Sequence, residues 1–294
     1  MALGLKGGFA LSHYGLTPQV AASLGAAVTL ALGVPLLGYL LLRRIVGGFD
    51  AVALAATYGS VSAVTFVTAT QYLDQQGLAY GGHMAAAMAL MESPAIILAV
   101  LLANLQRQAA KAAPGLQVHR DGSAVLSTGG GAPLGKVLHE SFTDGAQLLL
   151  LGAMAVGLIT GEAGKAAMQP FTGDLFKGML AFFLLDMGLT VARQLPGLRG
   201  RSPWLLAYAL LAPLVHAGLA LTLALGLDLP RGDATLLMVL AASASYIAVP
   251  AVLRQAVPEA QPSLYVGLSL GVTFPLNILA GIPLYTAVAG VALG

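Results

Sequence analysis

The sequence predicts an all-α polytopic membrane protein built from two inverted repeats of transmembrane helices. Three observations carry that prediction. Hydrophobic residues fill 57% of the 294 positions and charged residues only 9%, against about 25% charged in soluble domains. Apolar runs near the 20 or so residues that a helix needs to cross a bilayer recur along the chain, and short motifs of the first half return in the second. With 14 Lys and Arg and 12 Asp and Glu in the whole chain, polar groups are too few to coat a soluble particle of this size. The lipid bilayer is therefore the solvent for most of the surface.

Eight long runs and one short one give about nine helices. The short one, residues 1–14, cannot span alone. Residues 18–43 and 50–73 follow, then 79–104, which holds Glu92 deep in an apolar stretch. The second half supplies 142–162, 170–193 (interrupted by Asp186), 203–226, 234–256 and 263–291. Between the halves, Gln106 to Glu140 is polar, with Arg107, Lys111, Arg120, Lys136, two prolines and Gly129-Gly130-Gly131. That composition predicts a flexible linker. The chain thus divides into a first membrane repeat at 1–104, a linker at 105–140 and a second membrane repeat at 141–294.

Basic loops face the cytoplasm. If the linker is cytoplasmic, the loops on its side hold Arg43, Arg44, Arg193, Arg199, Arg201 and Arg254 besides the linker's own four cations, and the opposite loops hold only Lys165 and Arg231. This asymmetry supports a multi-pass protein of the cell's inner (plasma) membrane with its linker inside.

The internal repeat constrains function most. Gly4-Leu5 matches Gly188-Leu189 at an offset of 184, Ser60-Val61-Ser62 matches Ser243-Ala244-Ser245 at 183, and Pro94 with Ile97-Leu98-Ala99 matches Pro275 with Ile278-Leu279-Ala280 at 181. Three matches in order at near-constant offset exceed what short apolar strings give by chance. The partners lie five helices apart, so the halves cross the membrane in opposite senses, as in secondary transporters whose sites form near the midplane. Counting back from Ser141 by the same offset, about a helix and a half at the start of the second half has no counterpart in the first, which predicts an N-terminally incomplete first repeat.

Two hydroxyl clusters sit at matching places in the repeats. Ser60, Ser62 and Thr65 lie in one, Ser243 and Ser245 in the other, each beside Gly or Pro that lets a helix break and aim free N–H groups at an anion. The alternative for either cluster alone is close packing of small residues. Glu92 at membrane depth binds a cation or a proton. Asp186 is either a coupling group or the ion-pair partner of Lys6, and Asn277, after Pro275, offers a carbonyl where its helix unwinds. His83 and His216 read as hydrogen-bonded packing histidines before proton relays.

Other classes lack support. A net charge of +2 without a basic cluster gives no nucleic-acid footprint. The absence of cysteine excludes disulfides and thiolate metal sites, no histidine has metal-ligand spacing, and no nucleophile elbow marks a hydrolase. No catalytic residue, metal site or cofactor is predicted, a sodium ion apart.

The segments Gly4 to Gly8, Gly59 to Thr65, Met91-Glu92-Ser93-Pro94-Ala95 to Asn104, Ala241 to Arg254 and Pro262 to Gly267 resemble the sodium-dependent bicarbonate transporter family. The resemblance implies a permease of five plus five inverted helices, homo-oligomeric as a trimer, that imports bicarbonate with sodium and in some members answers to a PII-like regulatory protein. It implies that the family's first helix is what this chain lacks. Ser62 and Thr65 match hydroxyls of the family's first serine motif, Ser243 and Ser245 those of its second, and Glu92 stands where the family tends to have Asp. The second motif departs from the pattern Ser-Ser-Ser-Asp-Ile-Ser-Gly-Pro, reading Ser243-Ala244-Ser245-Tyr246-Ile247-Ala248-Val249-Pro250. Tyr246 thus replaces an acid at an ion-coupling position.

The functional expectation is a secondary permease for a small anion, with the serine motifs holding substrate and Glu92, Asp186, Tyr246 or Asn277 coupling an ion. A proton-coupled carrier of a small carboxylate and a membrane anion sensor that transports nothing are the alternatives.

Overall fold

A computed structural model describes residues 1–15, 17–112, 145–194, 200 and 202–294. The expected linker falls mostly outside these residues; only its first part is described, and there α5 runs on to Ala112. The chain is helical and, among the described residues, has no strand. In order come α1 (Ala2–Tyr14), α2 (Pro18–Leu42), α3 (Gly48–Gly59), α4 (Ala63–Gln75) and α5 (Met84–Ala112). After the gap follow α6 (Gly145–Pro170), α7 (Phe176–Gln194), α8 (Pro203–Gly226), α9 (Arg231–Ala242), α10 (Ala248–Ala256) and α11 (Pro262–Leu293). Pi turns widen the last helix at Ser269–Thr273 and Asn277–Gly281.

Among the described residues, five helices are long and apolar enough to cross a membrane, Pro18–Leu42, Gly48–Gln75, Met84–Gln108, Pro203–Gly226 and Pro262–Leu293. A sixth arises if Leu151–Gly173 and Gly178–Arg193, bent by 42° against each other, count as one span. The stretch expected to hold the spans 142–162 and 170–193 turns twice, at Gly161, whose φ of 54° suits glycine, and at the π turn Phe171–Leu175. The spans expected at 50–73 and 234–256 are both interrupted at their hydroxyl clusters, the first between Gly59 and Ala63 and the second between Ala242 and Ala248.

Apolar side chains face both ways. Leu37, Leu41, Trp204, Leu211, Val215, Phe182 and Val291 are exposed, the surface a lipid solvent requires. Inside, every residue from Ala51 to Gly59 and from Gly232 to Ala242 is buried, so the incoming halves of the two interrupted helices form the centre of the bundle. α2, α5 and α8 pack around them through Ala27, Leu30, Met88, Met91 and Ala220 on one side and Leu42, Ala99, Ala103, Tyr208 and Ala209 on the other. α1 lies against α6 at glycine contacts: a Cβ on Gly157 would stand 2.6 Å from the Leu5 carbonyl oxygen, and only small residues allow that approach.

At the end of the bundle where α5 passes Arg107, a polar clamp joins the halves. The Arg107 guanidinium donates to both Glu259 oxygens at 2.8 Å, to the Ala256 carbonyl at 2.9 Å and to Asn104 Oδ1 at 3.0 Å. It thereby ties α5 to the C-terminus of α10, where a cation also suits the helix dipole. The same guanidinium holds the Glu259 carboxyl below the usual carboxylate range. A carboxylate depressed on folding stabilises above its unfolded pKa and loses that contribution as pH falls through the folded value. Glu259→Gln should therefore lower the melting temperature at neutral pH, by an amount equivalent to about 1 kcal/mol for a partly exposed pair. The difference from the unsubstituted protein should vanish in strong acid, and thermal denaturation in detergent at both pH values reads it.

Candidate functional site

The two interruptions meet. Gly59 ends α3, Ser60 is extended with φ −100° and ψ −179°, and Ser62 caps α4 by accepting from the Thr65 N–H at 3.2 Å. Serine is favoured there because its short side chain replaces the missing intrahelical acceptor. The Thr65 hydroxyl donates to the same oxygen at 3.0 Å. In the second half, Ser243 is extended after α9, and Ser245 Oγ accepts from the Val249 N–H at 3.2 Å at the start of α10.

Breaking a helix inside lipid strands backbone groups that water cannot reach. Here each break serves the other. The Ser245 N–H donates to the Thr57 carbonyl at 2.8 Å. The Ser62 N–H donates to Ser243 Oγ at 3.0 Å, and that hydroxyl donates on to the Leu240 carbonyl at 2.8 Å. Subtracting the repeat offset of 183 turns Leu240 into Thr57 and Ser245 into Ser62, so the same amide-to-carbonyl link is made once directly and once through a hydroxyl.

α3 and α9 enter this crossing from opposite ends of the bundle. Gly48, at the start of α3, lies against Gln106 of α5, whereas the start of α9 holds Gly81, which precedes α5. α4 and α10 leave it, so two helix N-termini open at the crossing, and by helix geometry their first N–H groups have no carbonyl partner within the helix. Ala63 and Ile247 are exposed, so the crossing reaches the surface at both N-termini.

Five predicted residues, Ser60, Ser62, Thr65, Ser243 and Ser245, are buried at the crossing. Tyr246 joins them: it packs edge-on against Phe274 at 5.2 Å and points its hydroxyl toward Ser62 without closing a hydrogen bond. Asn277 is 1% exposed in the π turn of α11, donates to the Ala242 carbonyl at 2.8 Å and accepts from the Tyr285 hydroxyl at 2.9 Å. Its helix widens there and does not unwind, and its oxygen serves Tyr285. Glu92 is half-buried on α5 beside Met91, which packs in the same cluster as Val61 and Phe66 of the first break.

Asp186 stands apart. It lies on an exposed face of α7, while Leu184, Met187 and Val191 carry the packing toward Tyr246. Nor does Lys6 pair with it: the Lys6 ammonium sits 5.6 Å from the Phe176 ring centre and lines a cavity with Asp74, Tyr80 and Lys165. His83 lies in the loop before α5 and not within a span, 3.6 Å from Asp233, and His216 is buried in α8.

Sequence reasoning missed Thr57. Its carbonyl holds Ser245, and its hydroxyl, like those of Ser60 and Tyr246, is buried without a hydrogen-bond partner. Three such hydroxyls around one crossing are an unfilled set of donors and acceptors. Among the described residues, no three His, Asp or Glu side chains gather as a metal-binding group.

No curated protein matches the chain. The model of the Na+-dependent bicarbonate transporter superfamily matches residues 1–290, nearly its whole length. With two interrupted helices crossing at the centre of an apolar bundle and a family match of that extent, the chain belongs to the Na+-dependent bicarbonate transporter superfamily.

Proposed function

We propose that the chain is a secondary permease that takes up bicarbonate with sodium, binding the anion at the crossing of the two broken helices. The observation that carries this proposal is the set of unpartnered buried hydroxyls on Thr57, Ser60 and Tyr246 beside two helix N-termini. A planar oxyanion offers several acceptors. Hydroxyl protons and the first N–H groups of α4 and α10 supply donors, and the two helix dipoles favour its charge without a buried cation. Ser62 already accepts twice from Thr65, so its own proton is left to donate.

Opposed entry of α3 and α9 supports the inverted-repeat reading, because a site built from two half-helices of opposite sense is reachable from either face when one bundle moves against the other. Glu92 is the coupling carboxylate in this proposal. Its helix packs on the first break, and a carboxylate oxygen is a ligand suited to a hard cation. In this proposal the basic linker faces the cytoplasm, which the charge asymmetry of the loops supports.

One feature favours a second reading, proton coupling: Tyr246 occupies the place of an acid in the family's second motif, which removes a cation ligand from the crossing itself. Uptake of labelled bicarbonate into proteoliposomes, with a sodium gradient or with a proton gradient alone, separates the two. Sodium-driven accumulation supports the proposal; accumulation driven by protons alone replaces sodium with the second reading. Accumulation under neither gradient overturns both.

Substitutions refine the assignment. Ser60→Ala and Tyr246→Phe each remove one donor to a bound anion, and each should lower uptake by about tenfold, the effect of one charge-assisted hydrogen bond, with the melting temperature unchanged. Full uptake in both variants would remove these hydroxyls from the site. Glu92→Gln should abolish the response to a sodium gradient, read as the ratio of uptake with and without sodium.

A further inference from the structure

At the end of the bundle opposite the Arg107 clamp, the loop between α4 and α5 folds over the start of α9. The Gly81 N–H donates to Asp233 Oδ1 at 2.5 Å, and His83 Nε2 stands 3.6 Å from Asp233 Oδ2. Both side chains are more than nine-tenths buried, at 8% and 5% exposure. That Nε2 has no hydrogen-bond partner. Gly232 permits the overlap, since a Cβ there would collide with the Ala79 carbonyl. His83 and Asp233 line a cavity of about 330 Å³ shared with Thr17, Val20 and Tyr80.

The other end carries a matching contact. Asp50, in the first turn of α3, accepts from the Gln261 N–H just before α11 at 2.8 Å. Subtracting 183 from Asp233 gives Asp50, so each incoming half-helix holds the loop that leads into the other half's long helix by one carboxylate-to-amide bond. The ends differ in two ways. The Asp50 contact is exposed, and among the described residues no histidine pairs with it.

We infer that His83 and Asp233 form a proton-binding site in the wall of this cavity, and that proton uptake holds the loop between α4 and α5 closed over it. A buried carboxylate with one amide donor has oxygen capacity to spare. A neutral imidazole at 3.6 Å leaves it unfilled, whereas an imidazolium brings both a donor and a charge to Oδ2. The proton thus adds a second tie to the one Gly81 makes, and its loss leaves the loop on that single bond. Burial pushes protonation of His83 toward lower pH and the Asp233 charge pulls it back, so the tie forms on the acid side.

The neighbouring charges do not supply a competing switch at the pair itself. Lys6, Asp74 and Lys165 line the adjoining cavity, where Tyr80 is shared. Arg231 of α9 lies against Gly290 of α11, and Asp228 sits in the turn before α9. His216 of α8 faces the Ala241 backbone. His13 of α1 is a further imidazole among the described residues, exposed and 3.7 Å from Glu162, and it serves as the control. For transport, the consequence rests on the permease proposal: acid would hold closed the end of the bundle at which α9 enters.

The test reads access and not flux, so failure of the bicarbonate assay leaves it standing. The chain has no cysteine, which allows a single reporter. Val20→Cys, on the buried wall of the cavity, and Gln76→Cys, exposed at the end of α4, are placed singly in the full chain in nanodiscs and labelled with a charged methanethiosulfonate at about pH 8 and about pH 5, either side of the histidine range. The rate at Val20→Cys relative to Gln76→Cys should fall by about fivefold in acid. His83→Gln, which leaves the Gly81 to Asp233 bond in place, should remove that fall, and His13→Gln should leave it intact. An unchanged ratio at the two pH values overturns the inference, as does a fall that survives His83→Gln or disappears with His13→Gln. Should Asp233→Asn fold, it should behave as His83→Gln does; the histidine variants decide the matter without it.

Discussion

Backbone amides inside lipid must find a partner within the protein, and this bundle meets that demand by setting one broken helix against another. The Ser245 N–H reaches the Thr57 carbonyl, and the Ser62 N–H reaches Leu240 through the Ser243 hydroxyl. An orphaned amide or carbonyl at that depth costs several kcal/mol, so neither break is tolerable without the other. The rest of the arrangement follows from keeping the pair together. The incoming halves are buried on every side, and the outer helices leave their apolar faces to lipid.

Side chains complete what the two breaks leave open. Asn277 takes the last carbonyl of α9, its π turn bringing the amide to Ala242, while Tyr285 holds the Asn277 oxygen. Tyr58 bonds Thr273 at 2.7 Å, and Thr273 passes a bond at 2.8 Å to the Ala209 carbonyl of α8. These contacts fix α11 and α8 to the crossing. At the crossing itself the hydroxyls of Thr57, Ser60 and Tyr246 gather without partners, and a cluster of buried polar groups in that condition points to a ligand.

Much of this was legible in the sequence because the physics is local. Ser62 and Ser245 stand inside apolar runs, and a serine placed just before such a run is a helix-cap signal. The two clusters were also paired by spacing alone. Hydropathy averages over a short break, however, so 50–73 and 234–256 each form one apolar run in which only the glycine or proline near the serines allows a break, and the bend at Gly161 leaves no trace. Asp186 shows a different limit: a carboxylate in an apolar run signals depth, but not the face of the helix, and the face is set by packing of Leu184 and Met187. Thr57 is an ordinary helix residue in sequence, distinguished only by what its carbonyl meets across 188 positions of chain. Asp233 sits at a helix start, where acids are common for dipole reasons, and only the fold brings His83 to it.

The linkage of the breaks is the central claim, and residue-resolved amide hydrogen exchange in nanodiscs tests it most directly. Ser62 and Ser245 lie outside the helices, yet their amides should exchange as slowly as those in the middle of α3 and α9. Ser243→Ala should speed exchange at Ser62 while leaving Ser245, which bonds the Thr57 carbonyl directly, protected. Rapid exchange at both amides in the unsubstituted protein, or no response of Ser62 to loss of the Ser243 hydroxyl, would contradict the account.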